Sequence, residues 1–162
     1  MLTILFKIHC WLLNMLNKEI SYEYIRGLIE GEGCFSFSSP GRTGQRGGKI
    51  PSFTLSMTSR DKDLIWSVRD KLGLRNTVYE YKTKPREDLY DRQSKVILIV
   101  RDIGQLKNII VPLCYKKLCG NKGVQFENWI REIGSDPKVS KGYKFIHHIY
   151  HSGFYDNIHN FD

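Results

Sequence analysis

Tyr24-Ile25-Arg26-Gly27-Leu28-Ile29-Glu30-Gly31-Glu32-Gly33-Cys34-Phe35 is the stretch that decides how this chain is read. An apolar helical segment runs straight into two carboxylates separated by one glycine. Gly27 and Gly31 stand four apart, so on a helix they share one face and leave it without side chains. Such a face lets a second helix approach to backbone contact. Glu30 and Glu32 then fall at the end of that tight pair. A hydrophobic helix ending in acid is an odd way to build a core, but a sound way to fix a metal-binding carboxylate on a rigid element.

The segment resembles the signature helix of the LAGLIDADG homing endonucleases. Ile25 to Gly33 fill the pattern, with Ile25 for Leu, Arg26 for Ala, and Glu at both Asp positions; Phe35 also fits. The resemblance implies that Glu32 binds the catalytic divalent metal, Mg²⁺ or Mn²⁺, and that Gly31 lends its backbone carbonyl. Glu in place of Asp keeps a hard oxygen ligand suited to Mg²⁺, one methylene longer. Arg26 stands where the family has a small residue, so it must point away from the helix pair. The bland alternative is a helix C-cap leading into a strand.

The chain has 162 residues and a formal net charge of +8, with a sequence pI near 9.3. That length suits one domain with a terminal extension and a core that needs no staples. Hydrophobic residues make up 41%, which argues against disorder. A basic domain favours a polyanionic partner, nucleic acid first, and a solvated basic surface is the plain alternative. The four cysteines, Cys10, Cys34, Cys114 and Cys119, form no CxxC pair. Free thiols in a reducing compartment are expected, and a metal site from Cys114, Cys119 and the His147-His148-His151 cluster is disfavoured by spacing. Residues 1–16 are apolar but interrupted by Lys7, His9 and Asn14. They are short of a bilayer span and lack a signal cleavage site, so an extra helix or read-through is expected.

Ser21 opens the first helix. Phe35 and Phe37 alternate with Ser36 and Ser38, and Phe53, Leu55 and Met57 with Ser52, Thr54, Ser56 and Thr58. Both patterns read as half-buried strands. Between them, 40–49 is a flexible basic loop. Ser59 or Asp61 caps a helix striped by Leu64, Ile65, Val68 and Leu72 and stopped at Gly73. A strand over 77–84, with Tyr79 and Tyr81 opposite Val78, and another over 93–100 follow. Asp102 opens a helix to about Ile110, and Pro112 starts a basic connection. Asn121 caps a helix through Val124, Phe126, Trp129 and Ile133. The tail beyond Gly134 is aromatic- and His-rich, helical near 143–150.

The order α-β-β-α-β-β-α-α is an α+β pattern, an antiparallel sheet covered by helices on one face. The LAGLIDADG domain has the same order, so the resemblance spans about 21–133 and implies a four-stranded saddle-shaped sheet. Residues 1–20 then form an N-terminal extension and 134–162 a C-terminal tail. Phe53-x-Leu55-x-Met57-x-Ser59-Arg60-Asp61 looks like the family's second strand and turn. Pro112, Leu118 to Lys122 and Phe126-x-x-Trp129 look like its later elements.

One sheet face is expected to carry Ser36, Ser38, Thr54, Ser56, Tyr79 and Tyr81, with Arg42, Arg46, Lys49, Lys82, Lys84 and Arg86 nearby. Hydroxyls and cations on one face suit base edges and phosphates of double-stranded DNA. A single motif helix cuts both strands only as two copies, so a homodimer through Gly27, Leu28 and Gly31 is expected. The resemblance implies a site-specific, intron-encoded endonuclease on a long pseudo-palindromic target. Lys122 best matches its catalytic lysine, with Lys116 and Lys117 as fallbacks and as phosphate contacts. Ser59 stands where the family often has Gln, followed by Arg60, and both are carried as catalytic candidates. The alternatives are an RNA-splicing maturase or a non-cleaving DNA-binding protein on the same fold, and a structural protein with an acidic helix end. A mitochondrion, a chloroplast or a prokaryotic cytoplasm would suit such a protein; no membrane partner is expected.

Overall fold

The computed structural model describes residues 19–40, 48–82 and 93–162. Helix α1 (Tyr22–Glu32) starts where Ser21 accepts a hydrogen bond from the Tyr24 amide at 3.1 Å. That satisfies one orphan amide of the first turn. Ile25 and Ile29, one turn apart, are fully buried. The helix passes without a loop into strand β1 (Gly33–Ser38). Gly33 makes this possible, because a Cβ there would meet the Ile29 carbonyl oxygen at 2.6 Å.

Strand β2 (Ile50–Thr58) pairs antiparallel with β1, placing Gly33 opposite Leu55 and Ser36 opposite Ser52. A 3₁₀ turn (Ser59–Asp61) leads into α2 (Lys62–Lys71). Asp61 is the residue before α2, as expected, but its carboxylate accepts from the Thr58 hydroxyl at 3.1 Å instead of capping the helix. Strands β3 (Val78–Tyr81) and β4 (Lys95–Val100) complete a four-stranded sheet of order β1-β2-β4-β3, antiparallel throughout. The expected extension of β3 to Lys84 runs into residues outside the described ones.

One face of this sheet is dry. Phe53, Leu55, Val96, Leu98 and Val100 are each at most 1% exposed and pack beneath the helices. Phe35 sits among Phe53, Phe126 and Trp129 at centroid distances of 5.4, 4.9 and 5.4 Å. Burial of this kind, at about 25 cal/mol per Å² of apolar surface, is the main force holding helices to sheet.

The segment after β4 differs from expectation. Helix was expected to stop near Ile110, with Pro112 beyond it. Instead α3 (Ile103–Gln105) continues as a π turn (Leu106–Ile110) and then α4 (Val111–Cys114), with Pro112 inside the helical run and buried. A helical proline lacks its N–H and crowds the carbonyl four residues back. The widened π turn immediately before it relieves both conflicts.

Helix α5 (Gly120–Ser135) begins earlier than the expected cap at Asn121; Cys119 is the residue at its boundary. Helix α6 (Lys141–His151) follows the expected helical stretch of the tail. That tail is not peripheral: Ile146, Ile149 and Tyr155 join the same core as α1 and the sheet. The Lys49 amide donates to the Lys138 carbonyl at 2.9 Å, tying the tail to the start of β2. No helix among the described residues is long and apolar enough to cross a membrane.

Candidate functional site

The end of α1 holds the first of the candidate site residues. Gly31 and Glu32 are exposed there. Among the described residues the Glu32 carboxylate enters no ion pair or side-chain hydrogen bond, so its oxygens are open to an outside cation. Glu30 is committed elsewhere: its Oε1 accepts from the Cys119 amide at the start of α5. The structure therefore separates two acids that the sequence sets side by side. Glu32 carries the open carboxylate and Glu30 a tertiary contact.

Lys122 comes to the same place. Its ammonium donates to the Gly33 carbonyl at 2.6 Å and to Gln125 Oε1 at 3.2 Å. Gly33 directly follows Glu32, so Lys122 is anchored to the backbone one residue past the candidate metal ligand. Gln125, one turn along α5 from Lys122, was missed in the sequence; only the i, i+3 spacing to a chosen lysine could have singled it out. The fallback lysines behave differently. Lys116 pairs with Asp156 at 2.6 Å and Lys117 with Asp162 at 3.0 Å, both on the C-terminal tail. The Asp156 hydrogen bond pushes the Lys116 pKa up from its ordinary value, and Lys116 lowers that of Asp156 in return.

Ser59 and Arg60 lie exposed in the turn after β2. The register carries β2 beyond Leu55, the partner of Gly33, so this turn stands at the same end of the sheet as Glu32. Among the described residues neither side chain bonds to Glu32 or Lys122.

A ledge of hydroxyls extends from this end across the sheet face opposite the helices, half-buried at Ser36, Ser38, Thr54 and Ser56 and buried at Ser52. Cross-strand register aligns Ser36 with Ser52, Ser56 with Ile97 and Tyr79, and Thr58 with Lys95 and Tyr81. Paired residues in antiparallel strands point the same way, so Ser36, Ser38, Thr54, Ser56, Tyr79 and Tyr81 share one face, as expected. Tyr79 and Tyr81 are 47% and 53% exposed, which leaves their rings and hydroxyls available. Sequence reading overlooked Ile97, Ile99 and Lys95 on this face, because β4 reads KVILIV without alternation. Lys82 is exposed beyond β3. Lys49 does not join this face: its ammonium pairs with Glu132 at 2.7 Å and Asp136 at 2.6 Å on the α5 side. Arg42, Arg46, Lys84 and Arg86 lie outside the described residues.

The outer flank of α1 is bare among the described residues. Beyond α1 itself, none of them comes within 4 Å of where a Cβ on Gly27 or Gly31 would stand. Each glycine in a helix interior costs about 1 kcal/mol relative to alanine. Nothing among the described residues explains that cost, in contrast to Gly33. Tyr24 is 49% exposed on the same flank and Leu28 half-buried. Arg26 does point away from the glycine flank. It is buried, donating to the Leu113 carbonyl at 2.9 Å and to the Phe161 carbonyl, and so latches the tail to α1.

The oxygen donors fit a hard cation: an open carboxylate at Glu32 and the Gly31 carbonyl, which lies in the last turn of α1 where carbonyls lack helical partners. The Cys/His alternative does not assemble, since no group of three or more His, Cys, Asp or Glu converges among the described residues. Cys114 is fully buried, and burial pushes its thiol pKa far up, away from thiolate chemistry.

Solved structures with the same architecture include the LAGLIDADG homing endonuclease I-GzeII in complex with its DNA target. It is 26% identical, with 83% of this chain and 44% of that chain covered and a TM-score of 0.56. The homing endonuclease I-TnaI is 22% identical over 85% of this chain and 98% of its own, with a TM-score of 0.54. The meganuclease I-SmaMI bound to uncleaveable DNA is 14% identical over 82% and 44%, with a TM-score of 0.57. The chain thus spans less than half the length of I-GzeII and I-SmaMI and nearly all of I-TnaI. No match is found among curated proteins. The LAGLIDADG endonuclease family model matches residues 25–133, the stretch that builds α1, the sheet and α5, and this chain belongs to that family.

Proposed function

We propose that this chain cuts both strands of double-stranded DNA at a specific site, using a divalent metal and acting as two identical copies joined through α1. The observation that carries this reading is the meeting of three features at one end of α1. These are an open Glu32 carboxylate, the Lys122 ammonium, and a glycine flank that the described residues leave uncovered. The DNA-bound state of I-GzeII and I-SmaMI, as their names describe it, supports the same partner here.

Glu32 and the Gly31 carbonyl would hold the metal, Mg²⁺ or Mn²⁺. One protomer offers two donors, whereas Mg²⁺ takes about six, so waters, a phosphate oxygen and a second copy would have to supply the others. When bound, such a metal polarises the scissile phosphate and lowers the pKa of a water. The chain's own residues do the rest. Lys122 holds positive charge where the reacting phosphate accumulates negative charge. The hydroxyls of Ser36, Ser38, Thr54 and Ser56 and the exposed tyrosines offer donors and acceptors to base edges of the major groove. Lys82, Lys95 and the basic loop cations meet phosphates and set the register. Two like copies read a pseudo-palindromic target, and an intron-borne gene is the origin that the family resemblance implies.

The test is selection of cut sites by purified protein from a randomised DNA library in Mg²⁺, then in Mn²⁺. Double-strand ends at a two-fold-related sequence, lost on chelation, are the expected result. Tight DNA binding without cuts in either metal would instead select a non-cleaving binder. Binding to structured RNA alone would select a splicing role.

A further inference from the structure

The two acids of α1 have parted company, and the one that is not a metal ligand has its own task. We infer that Glu30 is a positioning residue for Lys122. Its carboxylate holds the first turn of α5 and so sets where the Lys122 ammonium stands relative to Glu32. The roles of Glu32 and Lys122 in this inference rest on the proposed cleavage; the contact geometry does not.

The start of α5 has no cap of its own. Cys119 precedes the helix and no side-chain hydrogen bond caps that end from within. The turn is tight: Gly120 takes a φ of 54°, and a Cβ on Gly123 would stand 2.9 Å from the Leu118 carbonyl oxygen. Into this turn comes the Glu30 carboxylate, accepting from the Cys119 amide. A carboxylate at a helix start is favoured both by the charge-assisted bond and by the helix dipole. Three residues on, Lys122 returns the contact, donating to the Gly33 carbonyl at 2.6 Å.

The two bonds therefore cross. An acid of α1 grips the backbone just before α5, and a base of α5 grips the backbone just past α1. A lysine has a flexible four-carbon stem and does not fix itself. It is placed only if the helix that bears it is placed. Loss of Glu30 frees the first turn of α5, and a displacement of about 1 Å costs on the order of 10²-fold in rate.

The decisive measurement is a double-mutant cycle of single-turnover cleavage at saturating DNA and Mg²⁺. Glu30→Ala should slow cleavage about 10²-fold while DNA affinity is unchanged. Glu30→Gln, which keeps an acceptor oxygen, should fall between, and it carries the test where the alanine variant does not fold. In a Lys122→Met background, Glu30→Ala should cost almost nothing more, because both changes remove the same placed charge. A fully multiplicative loss would overturn the inference and make Glu30 a ligand in its own right. So would a wild-type rate in Glu30→Ala. A second readout needs no cleavage: amide exchange at Cys119 and the side-chain ammonium signal of Lys122, both by NMR. Glu30→Ala should speed Cys119 exchange at least about tenfold, the scale of one net hydrogen bond, and broaden the Lys122 signal. Unchanged exchange overturns the positioning role. A wild-type protein that never cuts overturns the proposed function while this readout still decides the positioning.

Discussion

The covered and uncovered sides of this molecule are built from the same strands and the same helix, yet they obey different rules. On the covered side, Ile25, Ile29, Phe53, Leu55, Leu98 and Val100 are at most 1% exposed and every one is apolar. On the uncovered side, the same strands present Ser36, Thr54, Ser56, Tyr79 and Tyr81, and α1 presents glycines and an open acid. A strand alternates its side chains with a period of two and a helix rotates them by 3.6, so each element serves both sides at once. The covered side is set by packing. The uncovered side is free of that constraint, and its residues are explained by what they would touch outside.

That contrast is breakable. The largest effect belongs to Glu32→Gln, which removes the charged oxygen a cation needs. Double-strand cleavage should disappear while the melting temperature and DNA affinity persist. A purified variant that still cuts in Mg²⁺ would take the metal role away from Glu32.

Leu98→Ala makes the opposite cut through the comparison. It empties a fully buried site in the middle of the sheet and should destabilise the fold by about 2–5 kcal/mol. Chemical denaturation reads this directly. A loss below about 1 kcal/mol would mean that the sheet and helices are less tightly joined than the burial implies.

Gly31→Leu adds a side chain where the described residues leave open space. It should leave the folded monomer intact, and even gain helix propensity, yet weaken self-association at least about tenfold, the order expected when a close helix–helix contact is wedged apart. Sedimentation decides. An unaffected dimer, or a wild-type protein that is monomeric at micromolar concentration with DNA, would sever the glycine flank from assembly.

The smallest effect is expected for Tyr79→Ala. A half-exposed residue on the open face should change stability by no more than about 0.5 kcal/mol. Its signature is a changed base preference at one position of the target, seen by sequencing bound sites. Lys95→Ala on the same face should lower affinity for all sequences alike and reduce the log–log salt slope by about 0.9. If Tyr79 weakened all sites equally and Lys95 altered preference, the division of labour on this face would be reversed.

Much of this was readable in the amino-acid order because local chemistry governs it. Ser21 announces the first helix, alternation around Phe53 gives β2 its faces, and the four-residue spacing of Gly27 and Gly31 marks a bare flank before any neighbour is known. Charge and hydroxyl content point to a polyanion. All of these depend on residues close in the chain. The misreadings share the opposite origin. Pro112 looks like a helix end until the π turn before it is seen, and KVILIV hides which side Ile97 and Ile99 face until register with β2 is fixed. Lys49, Lys116 and Lys117 count as free cations in a sequence, but their acids lie 40 to 87 residues away. The sequence by itself put an acid-ended, glycine-faced helix ahead of a half-wet sheet. Only the tertiary structure decided that Glu30 bonds to the start of α5 while Glu32 stays unbonded among the described residues, and that Lys122 reaches the Gly33 carbonyl while Lys116 and Lys117 pair with carboxylates of the tail. A side chain's role depends on its nearest polar group, and folding brings that group from anywhere along the chain.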